Sequence, residues 1–186
     1  MRHEWLLAGF GGQGILFLGD LLAQAAMRQG LHTTYMPTYG VAMRGGTANC
    51  VVRLSNKSIG SPMLEAPDAA IILNQQSFNK FVPDMQANGL VIANSSMIEN
   101  PGRDKVGDRT VVWIPATEIA RDTAGTEQAT NMVALGAFLA SDSTIQVDTI
   151  EKIMAEERNP AKQKLVQTNM KAIRAGFDFV KSLSPS

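Results

Sequence analysis

Residues 5–14 read Trp-Leu-Leu-Ala-Gly-Phe-Gly-Gly-Gln-Gly, and this stretch decides how the chain folds. The apolar run that ends at Phe10 predicts a buried strand, because such runs are typical of strands covered on both faces. Residues 9–14 match the pattern G-x-G-x-x-G, and apolar residues at helical spacing follow over residues 15–29. A strand, a glycine-rich turn and a helix in this order indicate a phosphate-binding loop.

Glycine in such a loop lets the backbone turn tightly and approach a pyrophosphate, while the N-terminus of the following helix offers N–H groups. Ile15 and Leu16 stand where the loop of a P-loop NTPase carries Lys and Ser or Thr, which excludes that class. The predicted ligand contacts of the loop are Gly9, Gly11, Gly12, Gln13 and Gly14.

A nicotinamide dinucleotide needs a second anchor, an acidic residue about 20 positions further on that binds the ribose. No Asp or Glu occurs between Asp20 and Glu65. A stand-alone NAD(P)-dependent oxidoreductase therefore remains an alternative only, and a non-enzymatic nucleotide-binding scaffold is another.

Short apolar runs over residues 69–73, 90–93 and 110–114 predict central parallel strands. Another strand is expected over residues 31–36 and is closed by Pro37. Residues 47–54 alternate with a period of two, which predicts a strand with Thr47, Asn49 and Arg53 on a face toward polar surroundings.

Helical spacing of apolar residues predicts the remaining elements. The predicted helices cover residues 75–82, 129–140, 147–158 and 161–183. Alternating strands and helices imply an α/β fold: one domain over residues 1–186, a doubly wound, Rossmann-like, mostly parallel sheet with a C-terminal helical region.

Composition limits the possible functions. Seventeen basic residues balance 17 acidic residues, which argues against a nucleic-acid-binding chain. The single cysteine, Cys50, allows no internal disulfide and no four-thiolate metal site, and the two histidines have no further ligands at suitable spacing. We therefore predict no metal ligand. Cys50 lies on the apolar face of the alternating stretch 47–54, which predicts a buried small hydrophobe rather than a nucleophile, and we predict no catalytic residue. No apolar stretch approaches the about 18 residues of a membrane span, so a soluble cytoplasmic protein without a membrane partner is expected.

A second polar segment precedes the strand at residues 47–54. Arg44 stands before Gly45, Gly46 and Thr47, and an arginine beside an approachable backbone is suited to clamp an anion. Asn74 follows the apolar run 69–73, at the strand end where α/β folds bind ligands, although a helix N-cap explains it equally well.

Three segments resemble the gamma subunit of 2-oxoacid:ferredoxin oxidoreductases, which is also a domain of single-chain pyruvate:ferredoxin oxidoreductases. They are residues 9–15, residues 43–50 (Met-Arg-Gly-Gly-Thr-Ala-Asn-Cys) and residues 59–62 (Ile-Gly-Ser-Pro). The amino-acid sequence of residues 45–50 is most similar to that of the 2-oxoglutarate branch. Val41 and Ala42 stand where the family often has an acidic residue, which leaves the branch open among 2-oxoglutarate, pyruvate and ketoisovalerate.

The resemblance implies a subunit of an enzyme that decarboxylates a 2-oxoacid oxidatively with coenzyme A, giving acyl-CoA, CO2 and reduced ferredoxin. It implies that thiamine diphosphate and [4Fe-4S] clusters belong to alpha and beta subunits, with a ferredoxin-like delta subunit as a further candidate partner, and that this chain holds none of them. Its implied contribution is binding of coenzyme A and assembly. Under this hypothesis the glycine loop binds the coenzyme A phosphates, while Arg44, Gly45, Gly46 and Thr47 position the thiol arm or contact the catalytic subunits.

Overall fold

A computed structural model describes residues 1–39, 46–60, 66–99 and 105–183 of the chain. The strands in this part are β1 (Arg2–Phe10), β2 (His32–Tyr39), β3 (Thr47–Ser55), β4 (Ala69–Ile72), β5 (Leu90–Asn94), β6 (Lys105–Val106) and β7 (Arg109–Ile114). The α-helices are α1 (Ile15–Arg28), α2 (Gln75–Phe81), α3 (Ala116–Ile119), α4 (Thr130–Ser141), α5 (Val147–Ala155) and α6 (Pro160–Leu183). Short 3₁₀ turns cover Val82–Asp84 and Glu127–Ala129, and a π-helical turn covers Ala120–Ala124.

The strands form one mixed sheet in the order β2-β3-β1-β4-β5-β7-β6. The central strands β1, β4, β5 and β7 are parallel. β3 runs antiparallel to β1, and β2 runs antiparallel to β3, while β6 pairs antiparallel with β7. Most strands therefore point the same way, which confirms the predicted α/β fold with a mostly parallel sheet.

Each face of the sheet has its own hydrophobic core, because alternate residues of β1 point to opposite faces. Trp5 and Leu7 belong to a large core that includes residues of α1, α4 and α6. Leu6 and Ala8 belong to a smaller core that includes Val82 beyond the end of α2. The chain therefore winds onto one face after β1 and onto the other after β4, as predicted for a doubly wound sheet.

This winding creates a switch point between the neighbouring strands β1 and β4. In open α/β sheets, ligands bind in the crevice outside the carboxyl ends of the strands at such a point. Phe10 ends β1 and Ile72 ends β4, so the glycine loop and Asn74 both follow strands that border the crevice.

In the antiparallel part, one sequence expectation is wrong and another is met in a buried rather than a hydrated form. Pro37 does not close its strand, because β2 lies at the edge of the sheet, where a residue without an N–H is tolerated. Arg53 does face a polar group, as expected, but this group is a buried carboxylate rather than water: Arg53 is 1% exposed, and its Nη2 lies 3.0 Å from Oε1 of Glu4, the residue opposite on β1. A buried partner on the neighbouring strand, which the alternating pattern does not reveal, allows this arginine to be buried.

Candidate functional site

The glycine loop is a closed turn held by Gln13. The backbone N–H of Phe10 donates to Oε1 of Gln13 at 2.6 Å, and the N–H of Gln13 donates to the carbonyl of Phe10 at 3.1 Å. The side-chain oxygen of Gln13 is therefore engaged inside the loop. If the Gln13 side chain acts as an amide donor to a ligand, as predicted, its Nε2 is the atom that donates.

Gly14 connects the loop to α1 and has a left-handed conformation, with φ 71°. A Cβ at this position would lie 2.4 Å from Nδ2 of Asn131, so both the backbone angle and the contact require glycine. No side chain caps α1 at this end, and its first turn has no acidic residue. The first N–H groups of a helix have no partner within the helix, so this end of α1 is suited to bind an anion.

The second glycine segment lies beside the loop. Phe10 pairs with Thr47 and Gly9 pairs with Ala48 in the β1–β3 register, and the N–H of Gly11 donates to the carbonyl of Gly46 at 3.1 Å. The structure therefore brings two of the predicted residues, Gly46 and Thr47, next to the glycine loop. The other two, Arg44 and Gly45, lie outside the described residues.

The start of α4 forms the other wall of the site. Nδ2 of Asn131 donates to the carbonyl of Gly14 at 3.4 Å, so the N-termini of α1 and α4 lie side by side. A cleft of about 250 Å³ separates the two, lined by Gly12, Gln13, Glu127, Gln128 and Thr130. Sequence reasoning missed this wall, because more than a hundred residues separate it from the loop. The only available signal was the pair Thr130 and Asn131 at the start of a predicted apolar helix.

Glu127 supplies a carboxylate at this cleft. Its Oε1 lies 3.4 Å from Nη1 of Arg121, which belongs to the π-helical turn before α4. Both side chains are more than half exposed, so this ion pair contributes little to stability. The sequence has no acidic residue at the end of β2, and tertiary structure supplies one from a different segment.

Asn74 follows β4 and is 1% exposed. Its Oδ1 accepts the N–H of Ser77 at 2.8 Å and caps α2, so the N-cap alternative is confirmed. The N–H of Leu73 donates to the carbonyl of Ala8 at 2.9 Å, which places Asn74 beside the start of the glycine loop. Among the residues that the structure describes, its Nδ2 finds no hydrogen-bond partner, so a buried donor lies unused at the switch point.

Asn94, at the end of β5, behaves differently. Its Oδ1 accepts the N–H groups of Ser96 and Ala116, and its Nδ2 donates to the hydroxyl of Thr117 at 3.1 Å. Glu118 accepts a hydrogen bond from Ser96, which lowers the pKa of its carboxyl. This amide therefore joins β5 to α3 through both its oxygen and one of its two N–H groups.

The Cys50 thiol is not available as a nucleophile at the cleft. This thiol is buried, lies 3.6 Å from the carbonyl of Ile15, and burial raises its pKa to about 12. The prediction of a buried small hydrophobe is confirmed. In the ranges that the structure covers, no three His, Cys, Asp or Glu side chains are grouped closely enough to hold a metal ion. No helix there is both long enough and apolar enough to cross a membrane.

Residues 4–179 match the family of pyruvate ferredoxin/flavodoxin oxidoreductases. The chain belongs to this family. It is 35% identical over 175 residues to the ketoisovalerate oxidoreductase subunit VorA of Methanothermobacter thermautotrophicus, an alignment that covers 94% of this chain and 36% of the relative. It is 30% identical over 184 residues to the 2-oxoglutarate synthase subunit KorC of Methanothermobacter marburgensis, covering 97% of both chains.

The fold of this pyruvate ferredoxin/flavodoxin oxidoreductase family member agrees with a solved relative. It matches the crystal structure of the keto/oxoacid ferredoxin oxidoreductase gamma subunit from Geobacter sulfurreducens with a TM-score of 0.82, 26% identity and 98% coverage of both chains. The chain spans about a third of the length of the first curated relatives it matches. The same fold unit therefore occurs both as a separate subunit and within a longer chain.

Proposed function

We propose that this chain is the gamma-type subunit of a 2-oxoacid:ferredoxin oxidoreductase and binds the phosphates of coenzyme A at the glycine loop. The reaction is oxidative decarboxylation of a 2-oxoacid with coenzyme A to acyl-CoA, CO2 and reduced ferredoxin. Thiamine diphosphate and [4Fe-4S] clusters belong to the alpha and beta subunits, with a ferredoxin-like delta subunit as a further partner. Membership in the family and the match to a separate gamma subunit support this role.

The observation that carries the binding proposal is the uncapped N-terminus of α1 beside the cleft. Coenzyme A carries a pyrophosphate, and a glycine loop that opens a helix is suited to that group. Gly12 lines the cleft with φ 94°, and among the described residues, its two chain neighbours aside, no atom lies within 4 Å of the position that its Cβ would take. The free space of the cleft and the backbone N–H donors at the start of α1 therefore lie at the same place. Asn74 adds a buried donor beside the same loop.

Two substrates have specific support. The KorC relative matches along nearly its whole length and favours 2-oxoglutarate as the substrate. The amino-acid sequence of residues 45–50 favours the same substrate. The VorA relative has the higher identity over the shared part and favours ketoisovalerate, the branched-chain 2-oxoacid. Ferredoxin reduction by the purified complex with each acid in turn decides between them.

The test is Gly12→Asp in the complex co-purified anaerobically with its partner subunits. The Glu127 carboxylate in the cleft is already paired with Arg121, whereas the added carboxylate has no such partner and repels the pyrophosphate. We therefore expect the KM for coenzyme A to rise about tenfold or more, which corresponds to about 1.4 kcal/mol. The KM for the 2-oxoacid should stay within about twofold, because this substrate reacts in the partner subunits. The measurement is the initial rate of ferredoxin reduction against the concentration of each substrate.

Gly30→Asp is the matched control. Gly30 also has a positive φ of 80° and open space around its Cβ position, but it lies at the other end of α1. The control therefore adds the same strain and charge away from the cleft. Equal effects of the two variants on the KM for coenzyme A would refute the binding site. A purified chain with no partner subunits, iron or thiamine diphosphate would refute the subunit role.

A further inference from the structure

A relay of side-chain hydrogen bonds runs from the end of β5 to the wall of the ligand cleft. Nδ2 of Asn94 donates to Oγ1 of Thr117 at 3.1 Å. Oγ1 of Thr117 lies 3.5 Å from Oγ1 of Thr130, and the Thr130 hydroxyl donates to the carbonyl of Glu127 at 2.6 Å. Thr130 and Glu127 line the cleft, whereas Asn94 and Thr117 lie outside it. The relay therefore connects the sheet to the wall opposite the glycine loop.

The direction of each hydrogen bond in the relay follows from the groups that form it. An amide nitrogen only donates, and a hydroxyl has one O–H donor and two lone pairs. The Thr130 hydroxyl gives its proton to the Glu127 carbonyl at the shorter distance, so Thr117 is the donor at the 3.5 Å contact. Each group then donates to the next one toward the cleft, and hydrogen bonds aligned in this way strengthen one another.

The relay begins at a firmly held point of the sheet. Asn94 is 0% exposed, and its Oδ1 accepts the N–H of Ala116 at 3.1 Å. The N–H of Thr117 donates to Oγ of Ser96 at 3.2 Å. Ala116 and Thr117 are the first two residues of α3, so both of their N–H groups bond to side chains at or just after the end of β5. The Thr117 hydroxyl therefore has a fixed place relative to the sheet.

The relay ends in the segment that forms the far wall of the cleft. Thr130 is 8% exposed and is the first residue of α4. Its bond to the Glu127 carbonyl spans the 3₁₀ turn Glu127–Ala129, and both Glu127 and Gln128 of this turn line the cleft. Within the described residues, no side chain caps the N-terminus of α4. The hydroxyl of Thr130 therefore does the work of a cap and holds this turn against the helix.

We propose that Thr117 is a positioning residue for coenzyme A, and that its hydroxyl acts through Thr130 to hold the far wall of the cleft in place opposite the glycine loop. The bond from Asn131 to the Gly14 carbonyl ties the same wall to the loop, so two polar contacts set its position. Binding groups need such support, because a displacement of about 0.5 Å already weakens a contact. The inference rests on the proposed function, since it takes coenzyme A as the ligand of the cleft.

The test is Thr117→Val in the complex co-purified anaerobically with its partner subunits. Valine has nearly the shape of threonine but no hydroxyl, so it removes both relay bonds of this residue. We expect the KM for coenzyme A to rise about three- to tenfold, while kcat and the KM for the 2-oxoacid stay within about twofold. Thr117→Ser keeps the hydroxyl and should restore the KM for coenzyme A. Initial rates of ferredoxin reduction measure all of these constants.

Ser96→Ala is the matched control for a purely structural effect. Oγ of Ser96 bonds to the backbone N–H of Thr117 and to the Glu118 carboxylate, so its removal loosens the same turn of α3 without breaking the relay. Both variants should lower the melting temperature by a few degrees, because each leaves a polar group of this region unpaired. Equal rises in the KM for coenzyme A would show that Thr117 has only a structural role and would overturn the proposal.

Thr130→Val tests the route from Thr117 to the cleft. If Thr117 acts through the Thr130 hydroxyl, adding Thr117→Val to Thr130→Val should change the KM for coenzyme A by less than about 1.5-fold, because the contact between the two hydroxyls is already lost. If the effects of the two substitutions multiply instead, Thr117 acts independently of Thr130, and the proposed route is wrong.

The outcomes also distinguish this inference from the proposed function. An unchanged KM for coenzyme A in Thr117→Val, beside a raised KM in Gly12→Asp, would overturn the inference while the binding site at the glycine loop stands. A raised KM in Thr117→Val beside an unchanged KM in Gly12→Asp would support the relay and refute the glycine loop as the binding site. Unchanged values in both variants would overturn both proposals.

Discussion

Polar groups are bonded differently at the amino edge of the sheet, where the parallel strands begin, and at its carboxyl edge, where they end. At the amino edge, charged side chains bind one another: Glu4 pairs with Arg53 and with Arg2, and Nδ1 of His3 lies 3.0 Å from Oδ2 of Asp68. At the carboxyl edge, glycines and uncharged amides predominate. In the described part of the chain, the first turn of α1 there has no side-chain cap, and Nδ2 of Asn74 has no hydrogen-bond partner.

This difference separates stability from binding. Internal pairs at the amino edge satisfy charges that the fold has buried, and they leave little for a ligand. Donors without partners at the carboxyl edge cost stability but are available to an anion. The unpartnered donors of this chain thus lie at the edge where α/β sheets generally bind ligands.

The largest expected effect is at the amino edge. Arg53→Met leaves the Glu4 carboxylate buried without its cross-strand partner, so the free energy of unfolding should fall by about 3–5 kcal/mol. Arg174→Met is the matched control, because its pair with Glu151 is exposed and should contribute less than about 1 kcal/mol. Urea unfolding measures both. Similar losses in the two variants would contradict the stabilising role of the amino edge.

A smaller effect is expected at the glycine loop. Gly30→Ala should cost about 1–2 kcal/mol, because φ is positive there but space is open. Gly14→Ala should cost roughly 1 kcal/mol more, because its Cβ displaces Asn131 and breaks the bond to the Gly14 carbonyl. The added substitution Asn131→Ala should remove most of that excess. Equal losses at both glycines would show that Asn131 does not hold the loop.

The smallest effect concerns the pH dependence of the amino edge. The hydrogen bond with Asp68 raises the pKa of His3 above its usual value of 6.5. Protonated His3 therefore stabilises the fold fully below the pKa that it has in the unfolded chain. That contribution is lost as the pH rises through the higher pKa of the folded state. In His3→Gln, the decline in unfolding free energy as the pH rises above 6.5 should be shallower, by about 1 kcal/mol or less. Identical pH profiles would contradict the role of this pair.

The sequence predicted the elements of the carboxyl edge because their signals are local. A strand, four glycines and a helix follow one another within 24 residues of the chain, and each pattern is readable in place. Arg53 shows the limit of such patterns. Alternation placed it on a polar face, but whether that face is buried depends on Glu4, which is far along the chain and adjacent only after β1 and β3 pair.

The candidate site also combines features that local sequence patterns predict with contacts that only the tertiary structure makes. Periodicity and glycine spacing by themselves determined the parallel core, the loop of residues 9–14 and its place before α1. Only the tertiary structure brought Gly46 to Gly11, Asn131 to Gly14 and Glu127 to the cleft. Within the described residues, it alone also left Nδ2 of Asn74 without a hydrogen-bond partner. The physical reason is that backbone geometry follows from neighbouring residues, whereas a hydrogen-bond partner across the fold is chosen by packing.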